Sequence, residues 1–305
     1  MQGSQEVSGQ VQAAGSGNPG SGLTWYSTVV RRGGPWWAAL GLLVPLSGLL
    51  VGQTVLVARR YGASPALPPV DVTVAPSGGE LASESTVEMS AFGDSAMAGV
   101  GVERLEDSLP VQLAQRVADS TGRPVHVVCY ARSGARTIDV LTEQVPEARR
   151  EPDVSVLVVG TNDVTGLTAP VTLARSSSAL LDSLESLGAP VVMSSLPKFR
   201  AMRLLPHPLR EAVVGFGALV GAVQRHAAAG RPRVRFVDAV GAVGSEFVSD
   251  PGMLSGDSFH PSAAGYGRIA DALVPAVLAV LETSGTSREP FTGNEPSKGL
   301  AGTLA

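Results

Sequence analysis

The chain has 305 residues with 44% hydrophobic and only 16% charged side chains, which allows one sizeable core and leaves room for a membrane segment. A formal net charge of -4, with scattered basic residues, excludes the basic face that a nucleic-acid binder needs to neutralise phosphates. The single cysteine, Cys129, excludes an internal disulfide and a cysteine-cluster metal site, and its apolar surroundings read as core.

Residues 1–35 are rich in Gly, Ser and Gln, lack hydrophobic periodicity and are expected to be disordered. Trp36 to Val57 carries no charge. As a helix it would reach about 33 Å, enough to cross a hydrocarbon layer of about 30 Å. Trp36 and Trp37 suit one membrane interface, and Arg59, Arg60 and Tyr61 the other. The stretch is read as one transmembrane helix, with a cleaved signal peptide as the alternative. Arg31 and Arg32 before it balance Arg59 and Arg60 after it, so basic residues do not set the orientation. Residues 58–85, with Pro65, Pro68, Pro69 and Pro76, read as a linker that displays a domain outside the cytoplasm.

From residue 86 to 282, apolar runs of strand length alternate with helical periodicity. Val87–Phe92, Val125–Tyr130, Val154–Val159, Val191–Ser195 and Val234–Val237 are predicted strands. Helices are expected at 108–120, 138–150, 170–187, 209–229 and 262–281, with Pro275 kinking or ending the first part of the last. Such alternation predicts an α/β fold with a parallel sheet covered on both faces. The site of such a sheet lies beyond the C-terminal ends of its strands. Residues 283–305 return to a loose composition.

Three strand ends carry small or amide residues toward that edge. The first ends in Gly93-Asp94-Ser95, the second is followed by Ser133-Gly134, and the third by Gly160-Thr161-Asn162-Asp163. Taken alone, each reads as an ordinary turn. Together they supply a hydroxyl nucleophile, Ser95, and donors for an oxyanion in the N–H groups of Ser95 and Gly134 and the amide of Asn162. After the last strand comes Asp257-Ser258-Phe259-His260, where an Asp three residues before a His can orient the imidazole on one tight loop. The other histidines, His126, His207 and His226, have no carboxylate at this spacing.

These blocks, in this order, resemble the SGNH/GDSL hydrolases, most closely bacterial members with an N-terminal membrane segment. The resemblance covers about 86–282. It implies Ser95 as nucleophile, His260 as general base, Asp257 as its partner, and Ser95, Gly134 and Asn162 as the oxyanion hole. It also implies a flavodoxin-like three-layer sandwich with five parallel strands in the order 2-1-3-4-5. Ala96 stands where the name-giving motif has Leu. The expected activity is hydrolysis of a carboxylic ester through an acyl-serine, on a small-molecule, lipid or acylated-carbohydrate ester, without cofactor or metal. Acyl transfer to a sugar or lipid hydroxyl, or carbohydrate O-deacetylation, is the alternative, and an inactive binding module is a third reading. Within 196–210, Met202, Leu204 and Leu205 are candidates for an acyl-binding wall, with packing beneath the next helix as the alternative. An α/β-hydrolase elbow, Gly-x-Ser-x-Gly, is absent because Met97 occupies its last position.

Overall fold

The computed structural model describes residues 67–78, 85–149, 151–194 and 205–285. The expected transmembrane helix at 36–57, most of the proposed acyl-binding segment and the C-terminal tail lie outside the described residues.

A single six-stranded sheet organises the domain: β1 (Asp71–Val74), β2 (Val87–Gly93), β3 (Val125–Cys129), β4 (Val154–Val158), β5 (Val191–Ser194) and β6 (Val234–Val237), in the order β1-β3-β2-β4-β5-β6. The last five are mutually parallel and reproduce the expected order. The sixth is a correction: β1 arises inside the stretch read as linker and pairs antiparallel with β3. Its Asp-Val-Thr-Val alternates exposed and half-buried positions, as an edge strand does, but the prolines around it hid so short a signal.

Strand parity sorts the core into two faces. Met89, Ala91, Val154, Val156 and Val158 point to one, where they meet α1 (Leu109–Thr121) and the C-terminal helix. Phe92, Leu157, Val159 and Met193 point to the other, beneath the helix Pro170–Glu185. β4 is buried along its whole length, which is why it reads as an unbroken apolar run. Cys129 packs against the first cluster, and burial pushes its thiol up to about 12.

The remaining helices are α2 (Thr161–Thr165), α3 (Pro170–Glu185), α4 (Leu209–Ala228), α5 (Ala239–Ser249) and α6 (Ala263–Gly285). In α3, Leu173, Leu180, Leu181 and Leu184 form the buried stripe, each contributing roughly 1.5–3 kcal/mol by leaving water. Helix α5 was not legible in its sequence because Gly241 and Gly244 weaken helical propensity. It forms because the Asp238 carboxylate caps it at Gly241 N–H, 2.9 Å away, and because Val243 and Phe247 bury against the core.

Two helix expectations change. Pro275 does not end α6, which runs on to Gly285. Pro275 sits on the exposed side, where the Asp271 carbonyl it leaves without a helical donor can meet water, while Tyr266, Ala270, Leu273 and Val277 bury on either side of it. The buried face also explains why a helix apolar enough to span a membrane serves here as a core element. Residues 138–150 do not form one α-helix. A short α turn, Thr137–Asp139, passes into a π turn, Val140–Gln144, and then a 3₁₀ turn, Val145–Glu147. Pro146 has no N–H to continue an α-helix, and the chain widens just before it.

Candidate active site

Gly93 closes β2 where it runs tight against β4. A Cβ there would stand 2.0 Å from the Val158 carbonyl oxygen, so only glycine fits. The Asp94 N–H then donates to Val158 O (3.1 Å), and Asp94 Oδ1 accepts from Ala96 N–H (3.1 Å). This turn lifts Ser95 just past the strand, where it is only 8% exposed. The backbone N–H groups of Ser95 and Gly134 enter no hydrogen bond among the described residues.

Asp94 is fully buried, and burial pushes its carboxyl up to about 6. Hydrogen bonds from Ala96 and Thr161 oppose the rise, and the nearby Asp163 adds to it.

The loop before α6 brings the other two groups. Ser258 adopts a left-handed φ of 58°, which folds Asp257 back over His260. Asp257 Oδ1 accepts from Ser255 Oγ (2.8 Å), Phe259 N–H (2.8 Å) and His260 N–H (2.9 Å). Its Oδ2 lies 2.6 Å from His260 Nδ1, and His260 Nε2 lies 3.0 Å from Ser95 Oγ. Burial alone would raise the Asp257 carboxyl. The hydrogen bonds from His260, Phe259 and Ser255 outweigh it and hold the group below its ordinary 3.8.

The loop is pressed onto the turn that carries Ser95. A Cβ on Gly101 would meet Pro261 O at 2.7 Å and His260 Cβ at 2.9 Å. The buried Tyr266 hydroxyl donates to Val100 O (2.5 Å), tying α6 to the same turn.

The third and fourth strand ends approach through side chains. Asn162 opens α2, and its Nδ2 donates to Ala135 O (3.0 Å), the residue after Gly134. One amide hydrogen is thus used, and a second is left on the same nitrogen. Gly134 has φ of 86°, a left-handed position suited to glycine, on the exposed loop after β3. Thr137 donates through both N–H (2.9 Å) and Oγ1 (2.7 Å) to Asp163 Oδ2.

The structure therefore brings Ser95, Asp257 and His260 together and joins Asn162 to the loop carrying Gly134. Leu205 is buried, and its carbonyl accepts from Arg210 Nε (3.0 Å). Met202 and Leu204 lie outside the described residues. Among the described residues, no group of three or more His, Cys, Asp or Glu is gathered as a metal site would need. Sequence reasoning missed Gln144, Tyr266 and Ser255. Only Ser255, two residues before Asp257, had a local signal.

The family model for the GDSL-like lipase/acylhydrolases matches residues 91–268, more than half of the chain. The chain belongs to this family. The match begins in β2 and ends in α6, so it takes in every strand end described above. Among curated proteins, the GDSL-like esterase Rv1075c of Mycobacterium tuberculosis is 29% identical over 201 residues, 64% of this chain and 63% of that relative's length. The fold resembles the lipase Lip_vut3 from a goat rumen metagenome, with a TM-score of 0.51 at 19% identity over 63% of this chain and 97% of that one. It also resembles a Clostridium thermocellum family 3 carbohydrate esterase, with a TM-score of 0.50 at 20% identity over 66% and 99%. At these identities the likeness is one of fold.

Proposed function

We propose that this GDSL-family chain is a serine esterase that cleaves carboxylic esters through an acyl-serine. The observation that carries this reading is the unbroken relay from Asp257 Oδ2 to His260 Nδ1 (2.6 Å) and from His260 Nε2 to Ser95 Oγ (3.0 Å) at the C-terminal edge of the sheet. With Nδ1–H donated to Asp257, Nε2 presents a lone pair to the Ser95 hydroxyl. As Ser95 Oγ attacks the ester carbon, His260 takes its proton. The N–H groups of Ser95 and Gly134 and the remaining Asn162 amide hydrogen receive the oxyanion. His260 then hands the proton to the departing alcohol. Water then attacks the acyl-serine as His260 takes its proton, the bond to Ser95 Oγ breaks with that proton returned from His260 to Ser95, and the acid leaves. The depressed Asp257 stays anionic at neutral pH and stabilises the imidazolium formed in each half.

The ester is a small-molecule, lipid or acylated-carbohydrate one in this proposal. The charge-free stretch 36–57 supports a single-pass anchor with the hydrolase domain outside the cytoplasm. Protease treatment of intact cells tests that placement: digestion of the domain supports it, and protection reverses it.

Full-length protein in detergent should hydrolyse p-nitrophenyl esters, and the series from acetyl to palmitoyl should give a defined chain-length optimum. Ser95→Ala should lower kcat by about 10⁴-fold or more. Near-normal turnover in that variant would sink the assignment. A sugar-acceptor assay that yields ester product rather than free acid would convert the hydrolase into a transferase working through the same acyl-serine.

A further inference from the structure

Gln144 is completely buried, yet it belongs to none of the sequence blocks that mark the site. Its side-chain amide is spent on one residue. Oε1 accepts the Gly93 N–H (3.0 Å) and Nε2 donates to the Gly93 carbonyl (2.8 Å). Gly93 is the last residue of β2, two positions before Ser95.

The need for such a clasp follows from the sheet. On the β4 side, Gly93 is in register with Val158. On the β3 side the ladder is running out: β3 ends at Cys129, and only Tyr130 N–H to Ala91 O (2.8 Å) and a longer Arg132 N–H to Gly93 O (3.2 Å) continue it. The Gln144 carboxamide takes the place of the missing strand, offering one donor and one acceptor as a peptide group would. The π turn Val140–Gln144 and the Pro146 behind it put the side chain there.

The same stretch of chain also grips the opposite side of the site. Ala135 O holds the Asn162 amide, and Thr137 holds Asp163 through two hydrogen bonds. Residues 135–144 thus bind the Asn162 loop at one end and the root of the Ser95 turn at the other.

We propose that Gln144 is a positioning residue that sets Ser95 relative to the Asn162 amide, acting through Gly93. The inference rests on the serine-esterase reading above. A misplacement of about 1 Å between reacting groups costs about 10²-fold in rate, so loss of the clasp is read in kcat and not in binding.

The test uses full-length wild type, Gln144→Leu and Gln144→Glu in detergent. It measures fluorophosphonate labelling of Ser95, kcat and KM for a short aryl ester, and thermal melting. Gln144→Leu fills the same space without hydrogen bonds. It should lower kcat and the labelling rate by about 10- to 100-fold with little change in KM. Gln144→Glu supplies the readout that packing alone cannot move. When protonated, its carboxyl both accepts and donates and restores the clasp. When ionised, it sets an acceptor against the Gly93 carbonyl. Its kcat relative to wild type at the same pH should therefore be near one in acid and fall as pH rises. A folded Gln144→Leu protein with wild-type kcat and labelling overturns the proposal. Should that variant fail to fold, the Gln144→Glu ratio decides, and a ratio that does not change with pH overturns it. Wild-type protein that neither labels nor turns over ester overturns the esterase reading and this inference with it. Labelling at equal rates in wild type and both variants removes only the role of Gln144.

Discussion

Two histidines of this domain both lie against carboxylates, and the contrast shows what suits an imidazole to proton transfer. At the β1–β3 edge, His126 has Glu88 Oε2 on Nδ1 (2.7 Å) and Asp71 Oδ1 on Nε2 (2.8 Å). Hydrogen bonding to Glu88, and then to Asp71, raises its pKa against the opposing effect of burial. Both nitrogens serve as donors to fixed anions, which favours the cation and leaves no lone pair. At the C-terminal edge, His260 has one carboxylate, Asp257, on Nδ1 and a hydroxyl, Ser95, on Nε2. Its second nitrogen faces a proton that can be taken. A second carboxylate makes a clamp, whereas in the proposed esterase a hydroxyl in the same place serves as the nucleophile beside its base.

The comparison breaks most sharply in activity. His260→Gln should lower kcat on an aryl ester by about 10⁴-fold, while His126→Gln leaves kcat unchanged. Equal losses in the two variants would erase the distinction. Next comes the oxyanion side. Asn162→Ala should cost about 10²–10³-fold in kcat, the usual loss for one donor. A loss confined to KM would show that the amide binds the ground state instead.

A third experiment extends the contrast to carboxyls. The Asp257 carboxyl is held below 3.8, whereas burial lifts Asp94 to about 6. Native Asp94 therefore binds more protons than the unfolded chain between pH 3.8 and 6, and by linkage it withdraws stability as pH rises through that window. Asp94→Asn removes the ionisation. Urea melts of the variant and wild type should coincide near pH 4 and separate above pH 6, the variant being more stable by up to ~3 kcal/mol. A difference that does not vary with pH would mean that Asp94 does not titrate there.

The smallest effect concerns the His126 clamp. Its raised pKa means that its contribution is fully present below the ordinary value near 6.5 and is lost as pH rises through the folded value. In His126→Gln, amide exchange in β1 should be a few-fold faster than in wild type at pH 5.5, with the gap closing at high pH. A gap that widened with pH would reverse the sign of the clamp.

The sequence alone determined the parallel core of this protein. Each buried strand is an apolar run bounded by turn residues, and Ser95, Gly134 and Asn162 each stand two to five positions past a strand end. Short-range spacing likewise carried the Asp257–His260 pair, because three residues are enough to fold a carboxylate onto an imidazole. Tertiary structure decided the rest. The sheet acquired β1 because β3 had a free edge for it, which the four residues of β1 could not announce. Helix α6 continued through Pro275 because burial on both sides outweighed one missing hydrogen bond. Gln144 reads as an ordinary polar residue of a helix until the widened turn before Pro146 carries it inward to Gly93. A residue that bonds 51 positions away takes its role from the path of the chain between, and that path is set by packing.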